Sequence, residues 1–206
     1  MGRYPDAVLR RIVAGVAGHP RRPLLVGVDG PGGSGKSTLA RELLPQLDGA
    51  VVVEGDDFYR DLPDDTRAGL DAAAGYDQYF DWQRLRAEVL VPVREGRRTL
   101  RYQRYDWEQA RLGAWIAVPM PPVVLVEGVY TLRPELAELV DLKVFVATGE
   151  AARLQRQRRR GENPDAWISR WMAAEDHYLR VAQPQRVADL VVAGEEPLPG
   201  VRAEPG

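Results

Sequence analysis

Gly30-Pro31-Gly32-Gly33-Ser34-Gly35-Lys36-Ser37 fills every fixed position of the pattern G-x-x-x-x-G-K-[ST]. The chemistry such a stretch can do is to hold a phosphate chain. Glycines let the backbone curl so that successive N–H groups point inward at phosphate oxygens. A helix starting at the loop adds the positive end of its dipole. Lys36 can reach the β- and γ-phosphates, and the Ser37 hydroxyl is a hard oxygen suited to Mg²⁺. Gly30, Gly32, Gly33, Ser34, Gly35, Lys36, Ser37 and Thr38 are therefore the expected nucleotide-binding residues, with ATP and Mg²⁺ as cofactors. A chance glycine-rich turn is set aside because a buried apolar run precedes the loop and a helical pattern follows it. Lys36 is also one of only two lysines in the chain, the other being Lys143.

Three further groups can act on a phosphoryl group. Glu54-Gly55-Asp56-Asp57-Phe58-Tyr59-Arg60 follows the second apolar run, where a carboxylate can face bound phosphates and take a proton from an acceptor hydroxyl. Two adjacent aspartates can equally be a solvated loop or a helix cap; Asp56 is read as the functional one and Asp57 is left unassigned. Glu127 ends the third apolar run and can hold Mg²⁺ directly or through water. Arg153-Leu154-Gln155-Arg156-Gln157-Arg158-Arg159-Arg160 is either a solvated basic helix or a lid that brings arginines to the transferring group. Asp29, just before the loop, can touch Mg²⁺ or shape the turn, and is left open.

These groups need a scaffold. Residues 6–17 carry apolar side chains at helical spacing. Leu24–Val28, Ala50–Val53, Val123–Val126 and Leu142–Val146 read as buried strands, with Leu190–Val192 a last short one. Helices are expected over 36–44, 82–91 with Asp81 as N-cap, 150–160 and 165–180. Residues 55–80 read as irregular. Residues 98–105 and 112–118 read as a hairpin joined through Asp106-Trp107-Glu108. Strands alternating with helices give a three-layer α/β domain built on a parallel sheet. The expected organisation is one P-loop domain over 1–195, with a hairpin insertion at about 98–118, an arginine-rich lid at about 150–164 and a disordered tail over 196–206.

Composition narrows the classes. The chain has 206 residues, 45% of them hydrophobic, and a formal net charge of -2. That charge, without a broad basic run, argues against nucleic acid and acidic membranes as partners. No stretch approaches the roughly 18 apolar residues a span needs. There is no cysteine, which removes thiolate catalysis and disulfides together. A cytoplasmic setting is expected, and the sequence leaves the oligomeric state, including a homo-oligomer, open. The only asparagine is Asn163, so the Asn-Lys-x-Asp segment with which GTPases read guanine is absent.

Taken in order, these residues resemble the uridine kinase-like branch of P-loop kinases, which also contains phosphoribulokinase-like enzymes. The likeness runs from about Leu24 to Val192. Asp56-x-Phe58-Tyr59-Arg60 is similar to the family's Asp-x-Phe-Tyr-Arg, whose aspartate is the catalytic base. Tyr76-Asp77 followed by Phe80-Asp81 resembles its Phe-Asp-His-Pro…Phe-Asp, where the first aspartate contacts the acceptor sugar; that role passes to Asp77. Tyr105-Asp106-Trp107 resembles its Tyr-Asp-Phe at the acceptor pocket. Glu127-Gly128, Arg153-Leu154-x-Arg156 and Val187-Ala188-Asp189-Leu190 are similar to its Mg²⁺-side strand end, lid opening and closing strand. The resemblance implies Asp56, Lys36 and Arg156 as catalytic residues, Ser37 and Glu127 as Mg²⁺ holders, and Asp56, Tyr59, Asp77 and Tyr105 as acceptor contacts. The departures concern the acceptor: Ala110 stands where uridine kinases carry a base-reading histidine, Gln78 replaces the histidine of Phe-Asp-His-Pro, and the lid is short.

The resulting expectation is in-line transfer of the γ-phosphoryl group of ATP to a hydroxyl of a small molecule, nucleoside-like first. A non-nucleoside acceptor (a sugar, vitamin-like alcohol or antibiotic) and a nucleotide-binding regulator with little turnover are the alternatives. Among the tryptophans, Trp107, Trp115, Trp167 and Trp171 are read mainly as core, with Trp107 the strongest pocket candidate.

Overall fold

Strand β1 (Leu24–Asp29) is buried at every position, as expected of a parallel strand covered on both faces. The computed structural model describes residues 4–161 and 163–194. In it β2 (Val51–Glu54), β5 (Val123–Glu127), β6 (Leu142–Ala147) and β7 (Leu190–Ala193) join β1 in a five-stranded sheet of order β2-β5-β1-β6-β7. Every neighbouring pair is parallel. Alternate side chains serve the two faces. Leu24, Val26 and Val28 pack with Leu9, Ile12 and Val16 of α1 (Asp6–Gly18) and with Leu39 and Leu43 of α2 (Lys36–Leu43). Leu25, Val124 and Val126 pack with Leu85, Val89, Val93 and Leu136 on the other face.

The expected elements are present, with four differences. β2 is the edge strand, so only Val53 is buried and Val51 and Val52 are half-buried. Residues 55–80 are not irregular: a 3₁₀ turn (Gly55–Phe58) leads to α3 (Asp64–Ala68) and α4 (Ala72–Gln78). These pieces are too short to show a helical period, and packing stabilises them. Asp81 caps its helix through Arg84 N–H at 3.0 Å. That helix runs beyond residue 91: α5 (Trp82–Leu85) passes through a π segment (Arg86–Leu90) into α6 (Val91–Arg94). The π register stops beside Pro92, which has no N–H to give. The short α7 (Pro134–Ala137) had no sequence signal.

Strands β3 (Thr99–Asp106) and β4 (Arg111–Pro119) form a separate antiparallel hairpin. Leu100 and Tyr102 anchor it in the core. α8 (Glu150–Arg160) stops at Gly161, whose φ of 69° suits glycine. α9 (Asp165–Ala182) and α10 (Pro184–Val187) complete the chain before β7. The tail expected to be disordered, 196–206, lies outside the described residues. The register aligns Val28 with Glu127 and Glu127 with Glu54. Asp29, Glu54 and Glu127 therefore stand together at the carboxyl end of the sheet, where open α/β folds bind ligands.

Candidate active site

The loop after β1 turns into α2 through Gly33 at φ 77° and Gly35 at φ 110°, values that L side chains adopt only with strain. Gly35 is the N-cap of α2 and offers no side-chain acceptor, so no capping side chain competes with an anion for the helix N-terminus. Lys36 is largely buried, and its Nζ donates to the Pro31 carbonyl at 3.2 Å, folding the side chain back over the loop. A cleft of about 480 Å³ opens here, lined by Gly32, Gly33, Gly35, Lys36, Ser37 and Thr38 together with Asp56 and Glu127. Gly30 and Ser34 do not line it. They shape the loop from beneath, and the Ser34 hydroxyl is buried without a hydrogen bond.

Asp56 meets Glu127 because two glycines cross. A Cβ on Gly55 would lie 3.0 Å from Gly128 Cα, so only glycine backbones let the ends of β2 and β5 approach this closely. Asp56 is open to solvent at the cleft yet crowded by protein on most sides. That desolvation raises its pKa, with Lys36 and Arg160 opposing the rise and Asp57 adding to it. Burial likewise raises Glu127, opposed by Lys36 and by a hydrogen bond from the Ser37 hydroxyl.

The adjacent Asp57 points the other way. It is buried, accepts from Arg104 Nε at 2.9 Å, and gives its carbonyl to Arg84 Nη2 at 2.9 Å. Asp29 is also spoken for: it is fully buried and accepts from the N–H groups of Gly30 and Leu132 and, at 2.6 Å, from Tyr178 Oη. Asp29 thus shapes the turn, with three protein donors already on its carboxylate.

Arg156, expected as a catalytic residue, is placed against the loop backbone. Its guanidinium donates to the carbonyls of Gly33 at 2.9 Å, Ser34 at 3.3 Å and Gly194 at 2.9 Å, so it staples α8 to the loop and does not line the cleft. Gln157, the next residue, and Arg160, one turn on, do line it. Arg153 is buried and paired with Glu175 and Asp176.

Phe80, Trp107, Trp167 and Trp171 form the cleft's aromatic wall, so three tryptophans read mainly as core face the ligand space. Tyr59 and Tyr105, expected as acceptor contacts, are buried behind it. Their rings sit 4.5 Å and 5.1 Å from that of Trp107, and they support it. Asp77 is not brought to the cleft. It is 59% exposed and stands 3.7 Å from Arg133 Nη2. Phe80 and Glu175 also line the cleft and were not named as site residues from the sequence, while Arg160 lay within the expected lid run without being singled out. Glu175 had a signal: it shares the apolar stripe of α9 with Ile168, Trp171 and Tyr178, where a carboxylate is out of place unless paired.

Residues 25–195 match the model of the Phosphoribulokinase / Uridine kinase family. The chain belongs to this family. It is 32% identical over 188 residues to the uridine kinase of Lactiplantibacillus plantarum, a match covering 84% of this chain and 87% of that one. The uridine kinase of Deinococcus deserti is 31% identical over 194 residues, covering 86% and 90%. The solved structure of a possible uridine kinase from Bacillus stearothermophilus superposes with a TM-score of 0.71 at 22% identity, covering 90% and 97% of the two chains, and shares the fold. Membership in the Phosphoribulokinase / Uridine kinase family and these relatives support an ATP-dependent phosphotransferase. No helix among the described residues is long and apolar enough to cross a membrane.

Proposed function

We propose that this kinase transfers the γ-phosphoryl group of ATP to a hydroxyl of a nucleoside-like acceptor, with Asp56 as the general base. The observation that carries the proposal is that Asp56, Lys36, Ser37 and Glu127 line one cleft with Trp107 and Phe80. Lys36 and the loop amides hold the phosphate chain. Asp56 orients the acceptor hydroxyl and accepts its proton. Arg160, free of the backbone bonds that occupy Arg156, neutralises charge as the phosphoryl group moves. The aromatic wall offers flat faces on which a planar ring can stack. Relatives named uridine kinase favour a nucleoside, while Ala110, exposed at the hairpin turn, has no group to read a pyrimidine edge.

Ser37 and Glu127 offer two hard oxygens that already bond to one another. Among the described residues no group of three or more His, Cys, Asp or Glu can hold a metal ion. That donor set fits Mg²⁺, which takes one or two protein oxygens and fills its shell with water and phosphate. Mg²⁺ bound there would supply charge neutralisation on the phosphate chain.

The test is ADP release with Mg²⁺-ATP against nucleosides, sugars and vitamin-like alcohols, run beside Asp56→Asn. The expected result is stimulation by a nucleoside-like acceptor and a loss of about 10²–10⁴ in kcat in the variant, with ATP binding retained. Equal rates in parent and variant would remove Asp56 as the base.

A further inference from the structure

Glu175 reaches across from α9 into the phosphate loop. Its Oε1 accepts the Gly32 N–H at 2.8 Å, and its Oε2 accepts from Arg153 Nη1 at 3.1 Å. The carboxylate is 2% exposed and lines the phosphate end of the cleft. A Cβ on residue 32 would lie 2.7 Å from Oε1, so glycine is what admits it. A carboxylate oxygen on a loop amide makes the charge-assisted bond that a phosphate oxygen would make, and two anions cannot share one N–H without strong repulsion.

We propose that Glu175 is an internal occupant of the phosphate loop which ATP must displace, so that this residue sets the affinity for the nucleotide.

The carboxylate has a second place to go. The Tyr130 hydroxyl is buried and makes no hydrogen bond. Of the charges acting on it, Glu175 is foremost, ahead of Asp29. A buried donor without an acceptor is costly, so this hydroxyl is the partner the proposal gives Glu175 once it leaves Gly32. Arg153 makes a second ion pair with Asp176 at 3.2 Å, so α8 stays anchored while Glu175 moves. Because the site is competent only when Glu175 has left, apparent affinity falls by the fraction of molecules in that state.

The proposal rests on the ATP-dependent kinase reading, and calorimetry with Mg²⁺-ATP and no acceptor separates the two. Glu175→Gln should bind ATP about fivefold or more tightly than the parent and bind AMP unchanged, since AMP lacks the displacing phosphates. Tyr130→Phe should weaken ATP binding in the parent and have no effect in the Glu175→Gln background. A purely structural role for Glu175 predicts the opposite sign, weaker ATP binding in Glu175→Gln, and that result or equal tightening of AMP overturns the proposal. If Glu175→Gln does not fold, Tyr130→Phe decides, because it removes a hydroxyl that makes no bond; unchanged ATP affinity there overturns the proposal. ATP binding to neither folded parent nor variants overturns the kinase reading as well.

Discussion

Arg104 Nε donates to Asp57 Oδ1 at 2.9 Å, fastening the hairpin β3–β4 to the residue beside Asp56. Two adjacent aspartates thus do separate jobs. Asp57 faces inward and ties down the hairpin that carries Trp107, while Asp56 faces the cleft. Arg104→Met would leave the buried Asp57 carboxylate without its ion partner. The expected cost is about 1–3 kcal/mol of stability, toward the lower end because Arg104 is half-exposed and its charge is screened. Urea unfolding of parent and variant measures it.

The pH profile of kcat/KM should reflect the raised pKa of Asp56. The base works ionised, so activity is present above that pKa and is lost as pH falls through it. Because crowding in the cleft raises the pKa, the acid limb should sit above the ordinary carboxylate range. Asp57 adds to the rise and Arg160 opposes it. Asp57→Asn should therefore move the limb to lower pH and Arg160→Met to higher pH. Opposite movements would show that the limb belongs to another group.

Arg156 and Arg160 should separate in kinetics. Arg156 bonds to the carbonyls of Gly33, Ser34 and Gly194, so Arg156→Met should lower Tm and weaken ATP binding. Arg160 lines the cleft, so Arg160→Met should keep the fold and lower kcat by about 10²–10³. Melting curves and initial rates on the same preparations check both.

Trp107 and Trp171 should separate in stability. Trp107 is 53% exposed and Trp171 is 6% exposed. Trp107→Ala should barely change Tm while raising the acceptor KM a few-fold to about tenfold, the worth of one stacking contact. Trp171→Ala should cost about 3–5 kcal/mol, as a buried aromatic does.

Much of this was legible along the chain. The phosphate loop could be read because its turns demand glycine locally, at Gly33 and Gly35. β1, β5 and β6 could be read because burial on both faces requires an unbroken apolar run. α3 and α4 could not, since neither is long enough to carry a period, and α4 is held by its packing on α9, where Gly75 meets Ala174.

The sequence by itself determined the fold class, the place of the phosphate loop and the candidacy of Asp56 and Glu127, all of which depend on backbone demands and periodicities spanning a few residues. Only the tertiary structure decided which aspartate faces the cleft, which lid arginine lines it, that Tyr59 and Tyr105 support Trp107, and that Glu175 sits on the phosphate loop. Those outcomes depend on pairings between distant parts of the chain, such as Gly32 with Glu175, 143 residues apart. No local pattern encodes which of several chemically equal side chains a distant partner will take.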